Sequence, residues 1–296
     1  MRFSRVKEKI YEWTFALLAL SSLIFLLGIT IVLFKESLPI LKQYSLLKLL
    51  FGTHWYPTYD PPSFGLLPLI LASCWITVGA ALICIPLGVG SSLYLNELAG
   101  YRQRAFLKPL IEILASIPSI VYGFFGMVIV APFLQKLFHI PVGLCALTGS
   151  LMLGIMAIPT VCSLSDDALN AVPKSFREAS YALGANRWQT LIKVVLPAAG
   201  SGISTAIILG LSRAIGETMT VLMVTGGAAV IPKTFLQPVR PLTATIAAEM
   251  GEVAMGTNHF HALFFIGLLL FLITLVFNII AELISRRFRI QLGLGR

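Results

Sequence analysis

Two residues of opposite charge stand in the middle of a long apolar stretch. Arg213 and Glu217 are the only charged residues between Lys193 and Lys233. A charged side chain inside hydrocarbon costs on the order of 2.5–3.5 kcal/mol even on lenient scales, and such residues face a bundle interior, pair with each other or line a pathway. Because the i, i+4 spacing puts both on one face of a helix, the sequence predicts an ion pair. A paired cation and anion in such a segment indicate transport of something polar.

Composition places these residues in a membrane protein. Hydrophobic residues make up 57% and charged residues 12% of the 296-residue chain, whose mean hydropathy is +0.89. A soluble domain carries about 25% charged residues, and a spanning helix needs roughly 20 mostly apolar residues. The uncharged windows therefore predict an all-α integral membrane protein with a single transmembrane domain over residues 1–296. Its six expected helices lie near 13–34, 66–90, 110–134, 140–165, 197–226 and 262–283.

The distribution of basic residues predicts the orientation of the chain. Four segments on one side of the six spans hold 15 of the 22 Lys and Arg residues, which is typical of cytoplasmic segments and puts both termini in the cytoplasm. This bias accounts for the net charge of +9 without a nucleic-acid partner. The first apolar run is too long for a signal-peptide core, and Lys35-Glu36 follows it directly, so we expect an uncleaved span. The four segments are 1–12, 97–108, 166–193 and 282–296.

The other reactive residue types do not form a recognisable site. The four cysteines lie in predicted helices without C-x-x-C spacing or a histidine cluster, and we expect them to act as small buried hydrophobic residues. No paired aspartates, serine–histidine set or metal-spaced histidines occur within the spans, so no cofactor, metal or intramembrane enzyme is expected. The chain also lacks the GxxxxGK[ST] sequence of a P-loop ATPase. Energy for active transport must therefore come from another subunit or from an ion gradient. The cysteines are Cys74, Cys84, Cys145 and Cys162.

Two segments on the predicted outer side have distinctive compositions. The loop 35–65 is rich in aromatic residues, which favours an interfacial belt. The segment 242–254 is helical in pattern but too short to span, so it predicts a surface or re-entrant helix that leads into the sixth span. His259 and His261 flank that span and are expected to have a loose interfacial role rather than to bind a metal. The aromatic residues of the loop are Trp55, Tyr56, Tyr59 and Phe64.

Residues 166–196 predict a helix–glycine–helix unit on the cytoplasmic side. Pro173 suits the first turn of a helix, and Gly184 suits the left-handed position that ends it. Asn186 can then cap a second short helix over Arg187–Lys193. The first helix has a small apolar face, which needs either lipid or another protein as its partner. This face consists of Phe176, Ala179, Ala182 and Leu183.

The same unit resembles a known family motif. Glu-Ala-Ser at 178–180, three further residues, Gly184, nine residues and Val-Val-Leu-Pro at 194–197 are together similar to the EAA loop of ABC-importer permeases. Ser180 stands in place of the second alanine and Val194 in place of isoleucine. The resemblance implies the MetI-like permease fold and a coupling helix that docks into a cleft of an ATP-binding subunit. The coupling residues that it implies are Glu178, Ala179, Ser180 and Gly184.

Further stretches resemble the permeases of high-affinity phosphate importers. The similarity covers nearly the whole chain and includes Arg-Ala-Ile-Gly-Glu-Thr-Met at 213–219. These importers use two permease subunits, PstC and PstA, and Met219 with the Phe-Gly-Thr…Trp pattern at 51–55 is more similar to the PstC type. The resemblance implies a complex in the bacterial inner membrane with a PstA-like second permease subunit, two copies of an ATP-binding subunit and an extracytoplasmic phosphate-binding protein. The other similar stretches are 65–70, 94–99 and 116–126.

Two interpretations of Arg213 and Glu217 remain open. In the first, Glu217 neutralises Arg213 while the pathway is closed, and phosphate then competes for the guanidinium, whose forked donors suit an oxyanion. In the second, the two residues form a structural ion pair without substrate contact. For the whole chain, a molybdate or sulfate permease and a gradient-driven transporter are the alternatives to a phosphate importer. In each of these the chain itself performs no covalent chemistry.

Overall fold

The structure is a computed structural model that describes the backbone of residues 2–291 and the side chains of Lys9 and of residues 11–286. Its thirteen α-helices in this range are connected by loops, of which 225–241 is a long one, and by one two-stranded hairpin, β1 (Trp55–Tyr56) and β2 (Ser63–Phe64). The helices are α1 (Arg2–Gln43), α2 (Leu46–Phe51), α3 (Leu67–Leu93), α4 (Tyr101–Ser116), α5 (Ser119–Phe125), α6 (Ala131–Phe138), α7 (Ala146–Asn170), α8 (Lys174–Ala182), α9 (Arg187–Thr190), α10 (Leu196–Ile215), α11 (Met219–Val224), α12 (Leu242–Glu249) and α13 (Asn258–Gln291).

Six helical segments among the described residues are long and apolar enough to cross a membrane, which confirms the predicted number of spans and the all-α class. Three of them are extended by π-helical turns at Tyr94–Leu98, Gly126–Val130 and Leu191–Val195, so that α5 and α6, for example, form one span. The predicted cytoplasmic ends include Met1 and residues 292–296, which lie outside the described residues. The six segments are Tyr11–Gln43, Leu67–Leu98, Ser119–Phe138, Ala146–Asn170, Arg187–Ile215 and Asn258–Arg286.

The predicted third helix, 110–134, is interrupted in the structure. Helix α4 ends at Ser116, and Ile117 has an extended backbone with ψ of 127°. Pro118 is the cause, because a proline ring disfavours helical geometry in the residue before it. The segment long and apolar enough to span begins only after this break, so the third span is Ser119–Phe138.

The predicted fifth helix, 197–226, is also interrupted. Helix α10 ends at Ile215, and α11 begins at Met219. The carbonyl of Glu217 accepts a hydrogen bond from the Thr243 hydroxyl at 2.8 Å instead of continuing the helical ladder. This tertiary contact, together with the low helix propensity of Gly216, stabilises a break that the apolar pattern did not predict.

Small residues bring the central helices together. Helices α3 and α7 run parallel and pack closely, because Gly79 lies against Ser150 and Gly88 against Val161. Helix α10 runs antiparallel to α7, with Gly210 also against Val161. Packing of membrane helices relies on such small residues, because lipid provides no hydrophobic drive for helix association.

The bundle has two ends, which we name after the residues at their centres. At the Arg177 end, α3 and α7 finish, α8 lies across the bundle and α10 begins. At the Glu249 end are α2, the β1–β2 hairpin and α12. Helices α1 and α13 run antiparallel, with Gln43 bonded to Asn258, so the first described turn of α1 and the last of α13 both lie toward the Arg177 end.

Candidate functional site

Arg213 and Glu217 are near each other in sequence but do not pair. Arg213 lies in the last turn of α10 with an exposed side chain, whereas Glu217 lies in the break after Gly216 and is half-buried. Within residues 11–286, no hydrogen bond or ion pair joins the two side chains. The predicted ion pair is therefore wrong in this structure, because the i, i+4 rule requires a continuous helix and α10 ends between the two residues.

The environment of Arg213 leaves its donors available. A cation in the last turn of a helix is favourable beside the unpaired carbonyl groups there, which suits Arg213 to its position at the end of α10. No described side chain or carbonyl group accepts a hydrogen bond from its guanidinium. The break beside it borders a pocket of about 300 Å³ between α12 and α13, whose polar lining comes from Thr218, Thr243 and Thr274.

The helix–glycine–helix unit at the Arg177 end is confirmed in its turn geometry. Gly184 has a φ of +80°, in the left-handed region that favours glycine. Its amide donates to the carbonyl of Tyr181 at 2.9 Å, which ends α8. Asn186 then caps α9, with its side chain accepting from the Gln189 amide at 2.8 Å while the Gln189 side chain accepts from the Asn186 amide at 3.0 Å.

The second helix of this unit differs from the prediction. We expected a separate surface helix over Arg187–Lys193, followed by re-entry into the membrane at Pro197. Instead, α9 continues through the π-helical turn Leu191–Val195 into α10, so that the fifth span begins at Arg187. Pro197 does not separate the two helices, because the π-helical turn directly before it, in which the Leu196 amide donates to the Leu191 carbonyl, accommodates the backbone hydrogen bond that proline cannot make.

The four predicted coupling residues do not all face the same way. Glu178, Ala179 and Gly184 are exposed on the single chain, as a docking surface requires. Ser180 is buried, and its hydroxyl lies 2.9 Å from that of Thr190, so it holds α8 against α9. The predicted apolar face is accessible, since Phe176, Ala179, Ala182 and Leu183 are all exposed.

A set of ion pairs at the Arg177 end was not predicted. Arg177 binds Glu97 with an Nη2–Oε1 distance of 2.6 Å, and Glu97 is only 9% exposed. Asp166 is buried and accepts from Arg104 at 3.1 Å and Lys108 at 3.0 Å. The sequence did contain a signal for these ion pairs. Glu97 and Asp166 are charged residues at the ends of two apolar windows, and a charge that is buried there needs a partner.

Glu249 is the centre of a second unpredicted cluster, at the opposite end. Its carboxylate accepts from Arg240 Nη1 at 2.6 Å, from Trp55 Nε1 at 3.2 Å, and lies 2.8 Å from His259 Nε2. These partners come from β1, from the loop before α12 and from α13, so one carboxylate joins three parts of the chain. A neighbouring cavity of about 680 Å³ opens between the hairpin and α12.

This cluster corrects two expectations. Trp55 and Phe64 are buried at 2% and 4% exposure and pack edge to face, so they form a core rather than an interfacial belt, whereas Tyr59 stays exposed. The two histidines are also not loosely placed. His259 contacts Glu249, and His261 Nδ1 lies 2.8 Å from the backbone carbonyl of Glu36. Sequence reasoning missed these contacts because their partners are up to 225 residues away.

Glu249→Gln is expected to destabilise the protein. The change leaves Arg240, which is 28% exposed, without its anionic partner, and losing one member of a partly buried charge pair costs about 1–3 kcal/mol. Thermal unfolding of the purified protein in detergent measures the effect as a lower Tm. Glu252→Gln is the matched control, because Glu252 is exposed and lies near the same cavity. Equal melting temperatures for the two variants would contradict this role of Glu249.

The six helical segments that are long and apolar enough to span a membrane, found among the described residues, define a multi-pass membrane protein. The chain belongs to the family of binding-protein-dependent transport system inner membrane components, whose family model matches residues 85–290. The PstC-like resemblance is supported by the phosphate transport system permease protein PstC of Mesorhizobium japonicum, which is 33% identical over 97% of this chain and 92% of its own length.

A second relative and two solved structures agree with this class. The Bacillus subtilis protein described as "Probable ABC transporter permease protein YqgH" is 38% identical over 81% of this chain and 78% of its own length. The bacterial alginate ABC transporter matches with a TM-score of 0.65 over 95% of this chain and 96% of that chain, at 14% identity. The MetNI methionine ABC transporter matches with a TM-score of 0.58 over 73% and 93%, at 20% identity. At these identities the two structures support the MetI-like fold alone.

Proposed function

We propose that this chain is the membrane-spanning subunit of an ATP-driven importer of inorganic phosphate. The observation that carries the proposal is the near full-length similarity to a PstC protein at 33% identity. We place the subunit in the bacterial cytoplasmic membrane, with both termini and the Arg177 end in the cytoplasm. The concentration of 15 of the 22 basic side chains in the four segments on that side supports this orientation.

The complex that we propose contains four kinds of subunit. This PstC-like chain and a PstA-like second permease form the pathway, two copies of an ATP-binding subunit hydrolyse ATP, and an extracytoplasmic binding protein delivers phosphate. The exposed face of α8, with Glu178 and Ala179, and the exposed turn at Gly184 form the surface on which one ATP-binding subunit docks. The chain contains no P-loop sequence, and in this proposal it performs no covalent chemistry itself.

Within the pathway, we assign phosphate contact to Arg213. A phosphate that leaves water needs groups that replace its hydration, and a planar guanidinium offers forked donors and remains charged. The exposed position of Arg213 at the end of α10, without a described acceptor, supports contact with an anion or with the second permease. Glu217 lies in the break after α10 and repels anions, so the two residues do not make a permanent high-affinity site. In this proposal the binding protein supplies the affinity.

The source of energy separates this function from a gradient-driven transporter. Vesicles that contain the whole complex, with ATP inside and phosphate-loaded binding protein outside, are expected to accumulate labelled phosphate. Accumulation should continue when a protonophore collapses the proton gradient and should stop when ATP is replaced by a non-hydrolysable analogue. Uptake that follows the gradient and ignores ATP would contradict the proposal and favour a secondary transporter.

A further inference from the structure

The π-helical turn at the end of α3 is joined to α8 by a single guanidinium. Arg177, in the middle of α8, donates to Glu97 Oε1 from Nε at 3.1 Å and from Nη2 at 2.6 Å. The same side chain donates to the carbonyl groups of Val172 at 3.0 Å and Leu169 at 3.2 Å. Arg177 therefore connects three parts of the chain, namely α8, the end of α7 and the turn Tyr94–Leu98.

The neighbouring residue of the same turn extends this connection to α4. Asn96 donates to Asp166 Oδ1 at 3.0 Å and to Asn170 Oδ1 at 2.8 Å. Asp166 is 1% exposed and also binds Arg104 and Lys108, both of which belong to α4. A chain of polar contacts thus runs from α8 through the turn to α7 and α4, which leads into the third span.

Burial disfavours separation of Arg177 from Glu97. Glu97 is 9% exposed, and separating it from Arg177 would leave a nearly buried charge without a partner. The opposite face of α8 is exposed, so α8 has one face toward solvent and one face joined to the spans. Ser180 adds the other connection, to Thr190 at the start of the fifth span.

We propose that the Arg177–Glu97 ion pair is a positioning link that carries a displacement of α8 into α3 and, through Asn96 and Asp166, into α4. The inference rests on the proposed function, in which the exposed face of α8 docks on an ATP-binding subunit. When that subunit moves α8, Arg177 pulls the π-helical turn with it, and the second and third spans follow. Arg177 and Glu97 contact no substrate in this account.

The test compares Glu97→Gln with Glu282→Gln in the reconstituted complex. Glu282 also forms an ion pair with an arginine toward the Arg177 end, Arg286 at 2.6 Å, but both side chains are exposed, so its loss should have little effect. For Glu97→Gln, we expect normal assembly with the ATP-binding subunit and normal basal ATP hydrolysis. The stimulation of hydrolysis by phosphate-loaded binding protein should fall about tenfold, within the 5–150-fold range of coupling between sites.

Three readouts make the result decisive. Glu97→Gln with unchanged stimulation and unchanged phosphate uptake overturns the link. If uptake falls only in proportion to the amount of co-purified ATP-binding subunit, the ion pair serves assembly of the complex, and this result also overturns the link. If Glu97→Gln does not reach the membrane, Arg177→Lys is tested instead, because lysine keeps the positive charge but lacks the forked donors of the guanidinium. Reduced stimulation of ATP hydrolysis by Arg177→Lys in an intact complex supports the link. Full stimulation overturns it. Failure of the unmodified complex to import phosphate would instead contradict the proposed function.

Discussion

Arg213→Gln is expected to lower phosphate uptake by about 10- to 150-fold while the amount of the permease in the membrane stays normal. A hydrogen bond to a charged group contributes about 1.5–3 kcal/mol, which corresponds to this range. The exposed end of α10 holds Arg213 without a described acceptor, so removing its charge breaks no contact within the described part of the chain. Uptake of labelled phosphate by vesicles, normalised to immunodetected permease, measures the effect.

Two companion variants separate substrate contact from a structural role. Arg213→Lys keeps the charge at the end of α10 but loses the forked donors, so we expect intermediate uptake if the guanidinium contacts phosphate. The double variant Arg213→Gln with Glu217→Gln is expected to remain as low as Arg213→Gln alone, because the two side chains do not pair in this structure. Normal uptake in Arg213→Gln, or restored uptake in the double variant, would contradict the transport role and favour a structural pair.

Gly184→Val is expected to weaken binding of the ATP-binding subunit about tenfold and to reduce uptake accordingly. Gly184 has a φ of +80°, and a β-branched residue there is strained by at least the 1–2 kcal/mol that a left-handed residue costs. A penalty of that size corresponds to a factor of about 5–30 in an equilibrium. The strain displaces α8 relative to α9 and distorts the proposed docking surface. Co-purification of the two subunits at several salt concentrations gives the measurement.

Gly184→Asn is the matched control for this prediction. A Cβ atom added at Gly184 meets no other atom within 4 Å, so the cost of a substitution there comes from the left-handed backbone and not from a steric clash. Asparagine is close to valine in size but adopts the left-handed conformation far more readily. We therefore expect Gly184→Asn to retain most of the binding. If both variants lose binding equally, the docking surface itself excludes a side chain at this position; if neither loses it, the turn has no role in docking.

Features that depend on local sequence could be predicted well. The six spans follow from uncharged apolar windows, and each has a counterpart in the structure. The turn at Gly184 and the cap at Asn186 also follow from residue types whose backbone preferences act over three or four positions. These features required no knowledge of which segments meet in space.

Features that depend on distant contacts could not be predicted. The break after Ile215 is stabilised by the hydroxyl of Thr243, which lies 26 residues after Glu217, so the local pattern indicated an unbroken helix and a false ion pair. The contact between Arg177 and Glu97 spans 80 residues. A family motif indicated that α8 faces outward, but only the structure places Ser180 inward against Thr190.

The central claim is that this chain forms the pathway of an ATP-driven phosphate importer. Its most direct test is uptake of labelled phosphate by the complete complex reconstituted in vesicles that contain ATP, with an excess of unlabelled phosphate, sulfate or molybdate outside. The account predicts accumulation that requires ATP and the binding protein and that falls only when unlabelled phosphate is added. Uptake that sulfate or molybdate suppresses as strongly as phosphate does, or no phosphate uptake in a complex that hydrolyses ATP, would contradict it.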